Sequence, residues 1–207
     1  MKTALSIFSL GFLCLASSKA GAQEDAIEKA RASFFQGVEL YKEGSFEAAL
    51  AEFRRAYETT PVYRVLYNIA QAYFELHDYV NSYANLKEYV QQGGDEISAA
   101  RRAQVDELSR KLERRIAYLE IVCDASDADI RIDDVSVGKS PLAMAVPVNA
   151  GPRRVSAVKL GYPVVARVVT VAGAERAKVK LEIGAPTDVR PARPAVPATM
   201  GEPGPKA

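Results

Sequence analysis

The side chains able to do chemistry in this 207-residue chain are few: one histidine, His77, and two cysteines, Cys14 and Cys123. A zinc site takes three or four clustered nitrogen, sulfur or oxygen ligands, and a thiol nucleophile needs a base within hydrogen-bond reach. His77 falls between two helical patterns and reads as a turn residue, whereas Cys123 ends the apolar run Leu119-Glu120-Ile121-Val122-Cys123 and reads as a buried structural thiol. Neither can serve the other. Gly138-Lys139-Ser140 matches the end of a phosphate-binding loop, but Asp133 stands at the leading glycine and Pro141 keeps a helix from following. Ser136-Val137-Gly138-Lys139 has the spacing of a lysine-activated serine nucleophile, a chemistry that needs its serine at a helix start. Both patterns read as hairpin residues. Asp124, Asp127, Asp129, Asp133 and Asp134 carry the oxygen ligands that calcium favours, yet strand alternation sends them to different sides and their spacing fits no EF-hand loop. With no acid–base or nucleophile set converging, the expectation is a protein with no catalytic residues, no metal and no cofactor.

Charge narrows the partners. Lys2, the apolar stretch from Ala4 to Leu15 and the small residues Ala20-Gly21-Ala22 read as a secretory signal peptide over residues 1–22, cleaved near Ala22. The apolar run is shorter than the ~20 residues of a spanning helix, so the mature chain is expected to have no transmembrane span and to be periplasmic or secreted. Phe12-Leu13 before Cys14 lack the small residues of lipoprotein processing. Cleavage removes two lysines and leaves 25 basic against 26 acidic side chains, too even a balance for general nucleic-acid binding. A single remaining thiol excludes an internal disulfide framework. Arg101, Arg102, Arg110, Lys111, Arg114 and Arg115 alternate with Asp106, Glu107 and Glu113, and the i,i+4 pairs Arg102–Asp106 and Glu107–Lys111 predict a solvated helix face.

The elements that would position any site fall into two blocks. Residues 23–116 read as helical, with apolar side chains at helical spacing: Phe34, Val38 and Tyr41, then Tyr67, Gln71 and Phe74. Gly44-Ser45 breaks the first pattern, with Ser45 as N-cap of the next helix; Thr60-Pro61 ends that one, and Asp78 caps another. Gly93-Gly94 closes the fourth helix, and a fifth runs from about Asp95 to Arg115 with Val105, Leu108 and Leu112 buried. The block repeats at an offset of 33: Gly37 matches Ala70, Leu40 matches Tyr73, Gly44 matches His77, Phe46 matches Tyr79, Ala49 matches Ser82 and Phe53 matches Leu86. Each unit is a helix–turn–helix that buries its face only against a neighbour.

These units resemble the tetratricopeptide repeat family over roughly residues 30–94. Leu66 to Phe74 followed by His77-Asp78-Tyr79 carries its first helix and turn, and Gly37, Gly44, Phe46, Ala49, Phe53, Ala56 and Pro61 fall on its spacing. Ser33 and Leu66 replace its usual tryptophan, and Gln36 its usual leucine. The resemblance implies a concave groove lined by the first helix of each unit, here Phe34, Val38, Tyr41, Tyr67, Asn68, Gln71 and Phe74, holding a peptide segment. With only two units, the fifth helix would cover the open end, or the protein would self-associate as a homo-oligomer.

Residues 117–184 change character. Ile130-Arg131-Ile132, Val135-Ser136-Val137, Val155-Ser156-Ala157 and Val179 to Ile183 alternate between turn residues, which predicts a small all-β sandwich. Ile130-x-Ile132-Asp133-Asp134-x3-Gly138-x-Ser140-Pro141-Leu142, then Gly151-x3-Val155-x-Ala157-x-Lys159-x-Gly161-Tyr162, resembles the PEGA module of bacterial envelope proteins. Its naming tetrad has become Ala125-Ser126-Asp127-Ala128, and Asp134 replaces a usual glycine in a turn that aspartate tolerates. Residues 185–207 hold six of the eleven prolines and read as a disordered tail. The fold class expected is thus α then β in two domains: antiparallel helix hairpins of about five helices, then a β-sandwich. The function expected is a non-enzymatic scaffold joining an envelope protein or peptide segment, through the groove, to an envelope component docked on the β-module. The alternative makes the β-module primary, as a binder of cell-wall material or surface polysaccharide.

Overall fold

A computed structural model describes the backbone of residues 14–186 and the side chains of residues 21–186. Most of the expected signal peptide and of the Pro-rich tail lies outside the described residues. The chain is α then β in two domains. Five helices come first: α1 (Cys14–Lys42), α2 (Phe46–Thr59), α3 (Tyr63–Glu75), α4 (Tyr79–Gly93) and, after a 3-10 turn over Gly94–Glu96, α5 (Ala99–Glu113). Seven strands follow: β1 (Ile116–Cys123), β2 (Asp129–Ile132), β3 (Val135–Lys139), β4 (Val146–Asn149), β5 (Gly151–Val158), β6 (Val165–Val171) and β7 (Arg176–Leu181).

The 33-residue offset is visible as repeated local structure. Gly44 at φ 79° and His77 at φ 58° both take the left-handed turn that joins the helices of their hairpins. Where α1 crosses α2, a Cβ on Gly37 would come within 2.8 Å of the Phe53 ring, so only glycine lets the helices approach. The matching residue Ala70 is fully buried in the second hairpin, and its carbonyl accepts a 2.8 Å bond from the hydroxyl of Ser82. Tyrosines then tie successive units together. The Tyr41 hydroxyl donates to Glu75 at 3.3 Å, Tyr57 to Glu88 at 3.2 Å, Tyr63 to Glu96 at 3.3 Å and Tyr83 to Glu113 at 2.8 Å. Phe53, Leu66, Ile69, Leu86, Val105 and Leu112 fill the core beneath.

Two helix starts differ from expectation. Ser45 occupies the N-cap of α2 but its side chain makes no capping bond, whereas the Asp78 carboxylate accepts from the Asn81 amide as a cap should. The fifth helix begins at Ala99 rather than near Asp95, because Gly94, at φ 44°, turns the chain into a short 3-10 segment and Ser98 supplies the cap.

The strands form two sheets, ordered β4-β1-β7 and β3-β2-β5-β6; every pairing is antiparallel except β1 with β7. Their inner faces share one core of Leu119, Ile121, Ile130, Ile132, Val155, Ala157, Val171, Val179 and Leu181, which makes the block a sandwich. Asp133 and Asp134 sit at φ 48° and 67°, the two left-handed residues of a tight hairpin turn between β2 and β3.

Only Arg114 and Arg115 separate α5 from β1, and the blocks meet there. The Val80 amide donates to the Asn149 side chain at 3.0 Å and the Ala150 amide to the Arg115 carbonyl at 2.8 Å. A Cβ on Gly173 would lie 1.7 Å from the Arg114 carbonyl oxygen, so the β6–β7 turn passes over the end of α5 only because that residue is glycine.

Candidate functional site

The helices α1 and α3 run side by side over a floor made by Phe53 of α2. Between them lies an open cavity of about 300 Å³ lined by Val38, Tyr41, Lys42, Phe53, Tyr67, Asn68 and Gln71. Five of the seven residues singled out in the sequence therefore line one cavity. Hydrogen bonds line the cavity: Gln71 donates to the Tyr67 hydroxyl at 2.8 Å, with longer bonds from Asn68 to the Arg64 carbonyl at 3.4 Å and from Tyr41 to Glu75 at 3.3 Å. Burial, then Glu75, pushes the Tyr41 hydroxyl up to about 12, so it stays a neutral donor at physiological pH.

The other two residues sit at opposite ends. Phe34 packs on Phe53 with ring centroids 5.7 Å apart, and belongs to a second, more apolar cavity of about 370 Å³ with Ile27, Phe35, Val62 and Val65. Phe74 lies against the Tyr79 ring and beneath the Arg115 guanidinium, where the helical block meets the strands. The two stripes, Phe34, Val38, Tyr41 on α1 and Tyr67, Gln71, Phe74 on α3, thus span three environments in space.

On the far side of α3 a third cavity, about 440 Å³, is lined by Tyr63, Arg64, Tyr67, Asn68, Tyr89, Glu96, Ile97, Ser98 and Arg101. Tyr67 and Asn68 belong to both this cavity and the α1–α3 cavity, so the two form a continuous surface across α1, α3 and α5. The Arg101 guanidinium lies 4.5 Å from the Tyr67 ring centroid. Arg101 is exposed, as the charge pattern predicts, and the Tyr67 ring adds a partner that the pattern does not reveal. The i,i+4 pattern along α5 holds for Lys111 and Glu107, at 2.7 Å, but Arg102 reaches back to the Gly94 carbonyl and Arg115 stacks on Tyr79. Those arginines are used between elements, which a single-helix pattern does not reveal.

The residues whose patterns suggested catalysis have structural work. The Ser140 hydroxyl accepts from the Ala128 amide at 3.0 Å and donates to the Ala125 carbonyl, and Ser136 donates to Asp129. Those bonds hold the loops flanking β2. Asp124 accepts from the Ile183 amide, and Asp133 accepts from the Arg154 amide and the Arg153 guanidinium. Burial opposes ionisation of Asp133, but the Arg154 amide and Arg153 outweigh it and hold the carboxyl below its usual range. Asp129 is lowered as well, by the Ser136 hydroxyl and then Arg131. Among the described residues no group of three or more His, Cys, Asp or Glu side chains is arranged to hold a metal ion. Cys123 is half-buried rather than buried, at the end of β1, roughly 20 Å along the strand from the helical block that carries His77. No described helix is long and apolar enough to cross a membrane. No protein-family model matches this chain, and no characterised protein matches it at a significant level.

Proposed function

We propose that this chain is an exported adaptor without catalytic activity, built from two tetratricopeptide-type hairpins and a PEGA-type β-module. The helical surface holds a segment of another envelope protein, and the β-module docks on a second envelope component. The observation that carries this reading is the open aromatic cavity between α1 and α3, with Tyr41, Tyr67 and Gln71 on its walls and Phe53 as its floor. Its volume, about 300 Å³, is at the lower limit for a small-molecule pocket, and it is open along its length, which suits one side chain of a longer segment. Aromatic walls give large contact area at small entropic cost. Export is supported by the N-terminal sequence, and residues 21–25, around the expected cleavage site, are exposed.

The test is recovery of crosslinked partners from intact cells by the tagged full-length protein, beside a Tyr41→Ala/Tyr67→Ala variant whose helical signal and unfolding midpoint are measured first. The adaptor reading expects a discrete protein partner that the folded variant loses. Equal recovery by both removes the cavity from the reading. Recovery of wall polysaccharide by the β-module alone would replace it with a glycan-binding function.

A further inference from the structure

The surface across α1, α3 and α5 is chemically divided, and the division specifies what would fill it. The half between α1 and α3 is apolar, with Val38, Tyr41 and Phe53 around one hollow. The half between α3 and α5 is polar and carries Arg64 and Arg101 against a single acid, Glu96. Glu96 is already engaged: it bonds Arg64 at 3.3 Å and accepts from the Tyr63 hydroxyl at 3.3 Å. Arg101 has no carboxylate partner among the described residues; its guanidinium lies over the Tyr67 ring, its donors unspent. An arginine fixed by stacking on an aromatic face is pre-organised for an oxygen anion.

We infer, building on the segment-binding reading above, that the occupant of this surface is an acidic segment of a partner protein: a bulky apolar side chain enters the α1–α3 cavity and a carboxylate side chain about three residues away bonds Arg101. The spacing follows from geometry. The two cavities flank α3 and share Tyr67 and Asn68, so their centres are one helix spacing apart, about 10 Å. An extended chain rises about 3.3 Å per residue, so that distance is spanned by about three residues. The Pro-rich segment after residue 186 is a poor occupant by the same criterion, since its three cations outnumber its two acids.

The experiment measures binding of fluorescein-labelled synthetic peptides to the full chain by anisotropy. Each peptide carries one leucine or phenylalanine, with glutamate, glutamine or lysine placed at increasing separation from it. The expected result is tightest binding for glutamate about three residues from the anchor, about tenfold over lysine at the same place, weakening as salt rises. Arg101→Glu should reverse the preference while Arg110→Glu, on α5 but outside both cavities, should leave it intact. Circular dichroism and unfolding midpoints establish that both variants fold. Anchored peptides binding equally whatever their charge, or an Arg101→Glu variant that keeps the preference for glutamate, would overturn this inference alone. Failure of every peptide would overturn the segment-binding reading with it. So would a sedimentation result showing the surface closed by a second copy that Tyr41→Ala releases.

Discussion

Tyr41 and Tyr83 show how single residues tie function to stability here. Burial first, then a glutamate partner, pushes each hydroxyl up to about 12, whereas an unfolded tyrosine titrates near 10. A group whose pKa is raised by folding contributes its stability in full below the unfolded value and loses it as pH rises through the folded one. The two phenols should therefore cost the fold stability between pH about 10 and about 12. Urea midpoints across that window should fall in the native chain and fall less in a Tyr41→Phe/Tyr83→Phe variant; parallel falls would remove the assignment. Residue identities were only partly legible in the sequence. Val38, Tyr41, Tyr67, Asn68 and Gln71 were found together because helical spacing carries that information. Arg101 was not, because its partner is an aromatic ring on α3, and the charge pattern of α5 accounts for a surface arginine without any ring. Phe34 and Phe74 belong to the stripes of α1 and α3 but not to the cavity, since each stripe runs the length of its helix and the packing beneath it changes.

At the scale of elements, the repeat was legible because sterics enforce it. Gly44 and His77 take the same left-handed turn, and Gly37 and Ala70 are buried small residues at matching places in the two hairpins, so composition at those positions is restricted in both units. The start of α5 was not legible: the charged residues Asp95 and Glu96 suit a helix, and the positive φ of Gly94 that diverts them depends on packing, with Gly93 wedged against Tyr63 and Ile97. The parallel pairing of β1 with β7 was equally hidden, since alternation gives strands but not their partners. One residue at the joint between the blocks admits no side chain. Gly173→Ala would place a methyl group 1.7 Å from the Arg114 carbonyl oxygen, forcing backbone to move at a cost of about 3 kcal/mol. Thermal unfolding should show that loss, with amides of Ala150 and Ala174, which bond Arg115 and Ile116, exchanging faster. A stability unchanged by the substitution would mean that the turn sits away from α5.

For the whole molecule, the two blocks have separate cores but a shared seam, in which Tyr118 of β1 packs on the helical core while Arg176 covers its ring at 4.9 Å. The open side of the second hairpin is covered by α5, whose Val105, Leu108 and Leu112 pack on the helical core, as a repeat unit without a further neighbour requires. The α1–α3–α5 surface belongs to the helical block, and the sandwich joins that block at the seam. The central claim is that this surface holds a segment of another protein. The most direct measurement places a photoreactive amino acid at Gln71, on the cavity wall, or at Gln91, on the exposed side of α4, in the full-length protein in living cells. The account predicts a discrete protein adduct from position 71 that position 91 does not give. Adducts of equal yield from both positions, or none from position 71 in a folded protein, would contradict it.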